Sequence, residues 1–221
     1  MQSQTTDGTR FIELVMPALE QRDADGLAKV VREHWTTSEL CDLLGSGSAD
    51  VRKVVCLTLG LVGDERCAGC LAAALHDDDE VVGEIAEHAL WSVWFRSASP
   101  DSVDDFRRGV EHIQANQFAQ SIPPLTRAIA ADPEFAEAYN QRAIAYFLME
   151  DWPMALADCQ RAARLMPSHF GALAGAGHCH AQIGNLAEAA QCYRDALAVN
   201  PRLPEIAGAL ARLDDRVPAN A

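Results

Sequence analysis

Ala128-Ile129-Ala130-Ala131-Asp132-Pro133, Ala162-Ala163-Arg164-Leu165-Met166-Pro167 and Ala196-Leu197-Ala198-Val199-Asn200-Pro201 are three versions of one phrase, and each closing proline follows the previous one by 34 residues. Laying the chain on itself at that interval brings small residues into register: Gly109, Ala143 and Gly177 form one column, Ser121, Ala155 and Ala189 a second, Ala128, Ala162 and Ala196 a third. Bulky residues coincide as well, Phe118 with Trp152 and Leu186, and Leu125 with Cys159 and Tyr193. Antiparallel helices approach closely only where side chains are small, and large side chains fill the space beside the crossing. A proline cannot continue a helix, so it marks the end of each unit. Glu150-Asp151 and Gly184-Asn185 supply the turns within units. A single helix pair cannot bury its apolar face, whereas stacked pairs can.

Residues 102–203 thus resemble the tetratricopeptide repeat family in period, small columns, bulky columns and terminal proline. The resemblance implies three repeats, 102–135, 136–169 and 170–203, in an all-α, right-handed helical-repeat solenoid, an α-α superhelix of stacked antiparallel helix pairs. A capping helix is expected over 204–215, since Ile206, Leu210 and Leu213 fall on one stripe after Pro204. Residues 216–221 read as a loose tail. Two departures stand out. Pro123-Pro124 lies inside the expected second helix of the first repeat, which predicts a late start or a kink. Arg108 and Arg142 occupy a column that is usually apolar, as snorkelling heads or structural ion pairs, with Asp158 in reach of Arg142.

Residues 11–96 also read as helices, after a disordered start over 1–10. Leu44, Val51, Val55 and Leu59 align with Leu75, Val82, Ala86 and Leu90 at a spacing of 31 residues. This resembles the short bacterial, bilin-lyase type of HEAT repeat. Trp91, Trp94 and Phe95 precede a linker at 97–101 and are expected to join the two halves into one continuous superhelix.

The chain carries 18 basic and 32 acidic residues, a net charge of −14, and its only lysines are Lys29 and Lys53. Counterion displacement from nucleic acid needs clustered cations, so neither nucleic acid nor an anionic membrane is an expected partner. No apolar run approaches the ~18 residues of a membrane span, and no signal peptide is seen. The seven cysteines are irregularly spaced, which speaks against a disulfide framework and for the cytoplasm.

No cofactor, metal site or catalytic residue is expected. Cys67-x-x-Cys70 lacks the second ligand pair of a zinc site. In His178-Cys179-His180 adjacent residues face different ways on a helix. No histidine is followed by Glu, so the His-Glu ligand dipeptides of HEAT-like di-iron hydroxylases are missing. Asp77-Asp78-Asp79-Glu80 reads as the start of a helix, where acids favour the positive dipole end.

The resemblance implies that the first helix of each pair lines a concave groove. Its columns place Phe106, Val110 and Ile113, then Asn140, Ile144 and Phe147, then His178, Ala181 and Gln182 along the inner wall. Such an apolar track suits an amphipathic helix or extended peptide, with Asn140 available to its backbone. Either the groove is open, or the chain's own terminus or capping helix fills part of it. Some family members clamp chaperone carboxylates with Lys and Asn. The matching Phe106, Val110, Gln141, Gly171 and Gly175 include no lysine, so a clamp is not implied. The leading expectation is a non-catalytic scaffold or adaptor for a protein or peptide. The alternatives are a metal- or cofactor-dependent HEAT-like enzyme or bilin-lyase-like protein, and a structural subunit that self-associates as a homo-oligomer.

Overall fold

A computed structural model describes residues 2–214, with side chains from Gly8 onward except Ser46. Among the described residues there are thirteen α-helices, one short 3-10 turn and no strand, an all-α helical-repeat architecture. The chain divides into two compact units, 1–96 and 97–221. Met1 and the tail at 216–221 lie outside the described residues.

In the first unit, α1 (Gln2–Glu20), α2 (Ala24–His34), α3 (Thr37–Ser46), α4 (Ala49–Val62), α5 (Ala68–Ala74) and α6 (Glu80–Arg96) follow in order. The expected disordered start is helical from Gln2. Residues 2–10 carry no apolar stripe to announce a helix. Yet Gly8 is buried so close to Val51 that a methyl group there would sit 3.1 Å from Val51 Cγ2. Capping explains the other starts. Thr36 and Glu39 form a reciprocal capping box for α3. Asp79 Oδ1 accepts from the Val81 and Val82 amides at 3.0 and 3.3 Å at the head of α6. The rest of the acidic run serves ion pairs: Asp79 meets Lys53 at 2.8 Å, and Asp77 accepts two bonds from Arg52, at 2.6 and 2.8 Å.

All eight residues aligned at 31-residue spacing are buried. Gly60 lets α4 cross α6 at Ala89, where an added methyl would lie 3.0 Å from the Ala89 backbone. Trp94 is fully buried, whereas Phe95 is 37% exposed. Cys41 and Cys70 are joined by a disulfide, with Cα atoms 5.5 Å apart, a single bridge in a chain whose irregular cysteine spacing speaks against a disulfide framework. The pairing links residues 29 apart and leaves Cys67 as a buried free thiol. Spacing along the chain could not reveal it, because the packing of α3 on α5 creates the proximity.

The second unit comprises α7 (Val103–Gln114), α8 (Phe118–Ala131), α9 (Ala136–Leu148), α10 (Trp152–Leu165), α11 (Phe170–Ile183), α12 (Leu186–Val199) and α13 (Pro204–Asp214). Each helix packs on the next, so the three 34-residue phrases become three helix pairs. The small-to-large columns explain the close crossings. A Cβ on Gly109 would collide with Leu125, and one on Gly177 would lie 2.5 Å from the Tyr193 ring. Ala143 and Cys159 fill the same crossing between them in the middle pair. The turn repeats too: Asn116, Glu150 and Gly184, again 34 residues apart, all take the left-handed conformation, at φ 56°, 62° and 92°. Only glycine adopts it without steric cost.

Helix α8 begins at Phe118 rather than late and runs through Pro123-Pro124. The prolines deprive the Ala119 and Gln120 carbonyls of partners, and both residues are exposed to water. Arg142 makes the ion pair with Asp158, two bonds at 2.7 and 2.8 Å, with a third to Thr126 at 3.0 Å. Helix α13 closes the end by burying Ile206 and Leu213 beside Tyr193 and Ala189, with Leu210 packed against them.

Candidate functional site

The first helices of successive pairs lie side by side, α7 on α9 and α9 on α11, forming one wall of the second unit. The nine residues expected there do not share one environment. Phe106 is 4% exposed and packs edge-on against Phe135, with ring centres 4.6 Å apart. Val110 and Ile113 are partly buried against that same cluster. Asn140 is buried as well, its amide donating to the Glu137 carboxylate at 3.3 and 3.4 Å. Ala181 packs against the terminal cluster around Tyr193, and Gln182 is exposed.

Ile144, Phe147 and His178 come together. Ile144 is 37% exposed. Phe147 stands edge-on to Trp152 at 4.9 Å and faces the His178 ring at 6.2 Å. His178 packs on Tyr193, and its Nδ1 lies 2.8 Å from the Tyr193 hydroxyl. Burial lowers the His178 pKa below the ordinary histidine value, favouring the neutral ring, and burial raises that of Tyr193. Leu148 and Ile183, at the ends of α9 and α11, are 49% and 42% exposed. Leu148 was legible as the residue four beyond Ile144 on the same helix face. Trp152 and Tyr193 lie on second helices, and only the fold brings them to the wall.

Behind the wall lies a polar knot. Glu137 and His169 are fully buried side chains, with Nε2 donating to Glu137 Oε2 at 2.7 Å. Gln141 Nε2 donates to Glu137 Oε1 at 2.6 Å. His169 Nδ1 accepts the Ala172 amide at 3.2 Å, so it caps α11. A ring that accepts at Nδ1 and donates at Nε2 is a neutral imidazole with its proton on Nε2. No sequence signal marks this pair, because its members lie 32 residues apart in two repeats. Among the described residues no group of three His, Cys, Asp or Glu side chains is arranged to hold a metal, and no helix is long and apolar enough to cross a membrane.

The tetratricopeptide repeat family model matches residues 136–169, so the chain carries a tetratricopeptide repeat at α9–α10. A TPR repeat-containing protein of Rhizobium etli is 36% identical over 73 residues, 33% of this chain and 36% of that protein. Mouse sperm-associated antigen 1 is 32% identical over 94 residues, 42% of this chain and 10% of that protein. The chain therefore matches only about a third of the one relative's length and a tenth of the other's. Among solved structures, the second TPR domain of human RPAP3, in complex with the HSP70 peptide SGPTIEEVD, superposes with a TM-score of 0.50 and 27% identity. That match covers 52% of this chain and 95% of the domain. MamA shares the fold at 17% identity with a TM-score of 0.51, over 61% of this chain and 82% of that one.

Proposed function

We propose that this chain is a non-catalytic scaffold or adaptor that holds a peptide or helical segment of another protein along the α7–α9–α11 wall, and that 102–135 and 170–203 are repeats of the same kind as 136–169. The observation that carries the reading is the exposed apolar pair Ile144 and Leu148, one turn apart on α9, with Phe147 of the same helix against the His178 ring. Solvated apolar side chains on a rigid wall gain free energy when a guest covers them, and the ring pair gives an edge for an inserted side chain. His178, held neutral with Nδ1 turned to Tyr193, offers Nε2 to a guest carbonyl. Phe106 and Asn140 serve the wall from behind, by packing and by the Glu137 bond.

The guest is apolar rather than acidic. The human RPAP3 domain holds an HSP70 peptide ending in acidic residues. Here no lysine occurs after Lys53, and Phe106, Val110, Gln141, Gly171 and Gly175 stand at the clamp positions. The first unit reads as HEAT-like from its 31-residue spacing, and five free thiols suit a cytoplasmic setting.

The test is affinity capture from the native cell with wild type, Ile144→Asp and Leu148→Asp, followed by mass spectrometry. Both substitutions sit at exposed positions, so the fold is retained. A partner recovered by wild type and lost from both variants supports the groove, and equal recovery of every partner overturns it. Titration with SGPTIEEVD is expected to show no binding.

A further inference from the structure

The sequence showed no use for the cysteines of the first unit, and the bond between two of them is where the structure adds chemistry. Cys41 lies in α3 and Cys70 in α5, and both are half-buried rather than enclosed. They line one side of a cavity of about 210 Å³ whose other walls are Leu44, Gly45, Ala73, Ala74 and Asp77. A structural disulfide is ordinarily closed off by packing, whereas exchange requires an attacking thiolate to reach a sulfur. Here the space beside the sulfurs is already present.

The neighbouring thiols are set apart from this chemistry. Cys56 and Cys67 are fully buried, and burial pushes their thiols up to about 12 and about 11. The Cys67 thiol donates to the Asp64 carbonyl at 2.8 Å, so it is not poised to attack Cys70 three residues away. Internal reshuffling is thereby suppressed, and the pair is left to an external thiol. The opened state also has a partner in place, because Cys70 Sγ lies 3.2 Å from the Cys67 carbonyl oxygen, which accepts its hydrogen bond once the sulfur is a thiol. On the noncovalent side, Arg52 still ties the end of α3 to the α5–α6 loop, by Nη1 to the Gly47 carbonyl at 2.7 Å and by its two bonds to Asp77. Loss of the covalent link therefore leaves α3 held in place.

We infer that Cys41–Cys70 is an exchangeable disulfide, a thiol-modification site that is opened and closed by a low-molecular-weight thiol and its disulfide through this cavity. In the opening direction a small thiolate attacks one sulfur of the pair, forming a mixed disulfide and breaking the Cys41–Cys70 bond. The released sulfur leaves as a thiolate and takes a proton. A second small thiol attacks the mixed disulfide at the small molecule's sulfur, releasing the other cysteine as a thiol. Two small thiols are oxidised to one small disulfide, and the protein disulfide is reduced to two thiols. Closure is the reverse, with the small disulfide as oxidant.

The protein is equilibrated in glutathione buffers of graded reduced-to-oxidised ratio. It is then trapped with an alkylating agent and its free thiols are counted by mass spectrometry after unfolding. The expected result is a reversible change between five and seven free thiols, with the two additional labels on Cys41 and Cys70 and native helical content at both ends. Cys41→Ser and Cys70→Ser, checked for helicity, are expected to take up one glutathione on the remaining cysteine of the pair and none on Cys56 or Cys67. A bond that stays closed under millimolar reduced glutathione until the protein unfolds overturns the inference. So does a thiol count of seven under every oxidising condition, or a failure of both folded variants to form the adduct.

Discussion

Removing the Glu137 carboxylate tests the knot behind the wall. In Glu137→Ala three buried donors lose their acceptor: His169 Nε2–H, the Gln141 amide and the Asn140 amide. An unsatisfied buried donor costs about 1–3 kcal/mol, and breaking a buried pair from one side about 3–5 kcal/mol. Water entering the space would recover part of this, so the expected loss is about 4 kcal/mol. That corresponds to a fall of roughly 15 °C in the melting midpoint of a unit of this size, or a urea midpoint lower by about 2 M. Glu137→Gln keeps one acceptor oxygen and should cost about half as much. His169→Ala removes both the pair and the cap on the Ala172 amide, adding about 1 kcal/mol. The double variant Glu137→Ala/His169→Ala should cost less than the sum of the singles by more than about 1 kcal/mol, because each single leaves the other member stranded. Urea unfolding followed by circular dichroism reads all four. A Glu137→Ala loss below about 1 kcal/mol, or singles that simply add within about 0.5 kcal/mol, would refute the reasoning.

Other perturbations have definite signs. Gly177→Ala places a methyl against the Tyr193 ring and should destabilise by about 1–3 kcal/mol, with Tyr193→Cys added to it restoring part of the loss, as calorimetry would register. Glu150→Gly relieves a left-handed non-glycine residue and should raise stability by up to about 1 kcal/mol in chemical denaturation. Arg52, through its hydrogen bonds, holds the Asp77 carboxyl below the ordinary carboxylate range. Its stabilisation is therefore present above the unfolded-state pKa of about 3.9 and is lost as pH falls through the lower folded value. The gap in melting midpoint between wild type and Asp77→Asn should be widest near neutrality and should close in acid; a gap independent of pH would contradict this.

Helix pairs were legible because their signal is local and repeated. A proline every 34 residues and a small residue at each crossing are constraints that every unit must meet for itself. The acidic run before α6 was legible for a related reason, since a cap lies within three residues of what it caps. What escaped was either unpatterned or made by tertiary approach. Helix α1 over 2–10 has no stripe. Cys41 meets Cys70, and Glu137 meets His169, across intervals that carry no period. At the wall, the resemblance placed Phe106 and Asn140 beside Ile144, Phe147 and His178 without telling a buried column from an open one. The column of Phe106, Asn140 and Ala174 is buried in every repeat, with Phe106 against Phe135 and Asn140 bonded to Glu137 of its own helix, whereas Ile144 and His178 share another column and stay partly open.

At the crossings Gly109–Leu125 and Gly177–Tyr193 a glycine faces a large side chain, whereas at Ala143–Cys159 an alanine faces a small one. Repeats of this chain can therefore diverge only by coordinated exchange at two positions sixteen residues apart. A gene-level recombination that cuts between them would join, for instance, Ala143 to Tyr193 and overfill the joint, whereas one that cuts at the proline would transplant a working unit whole.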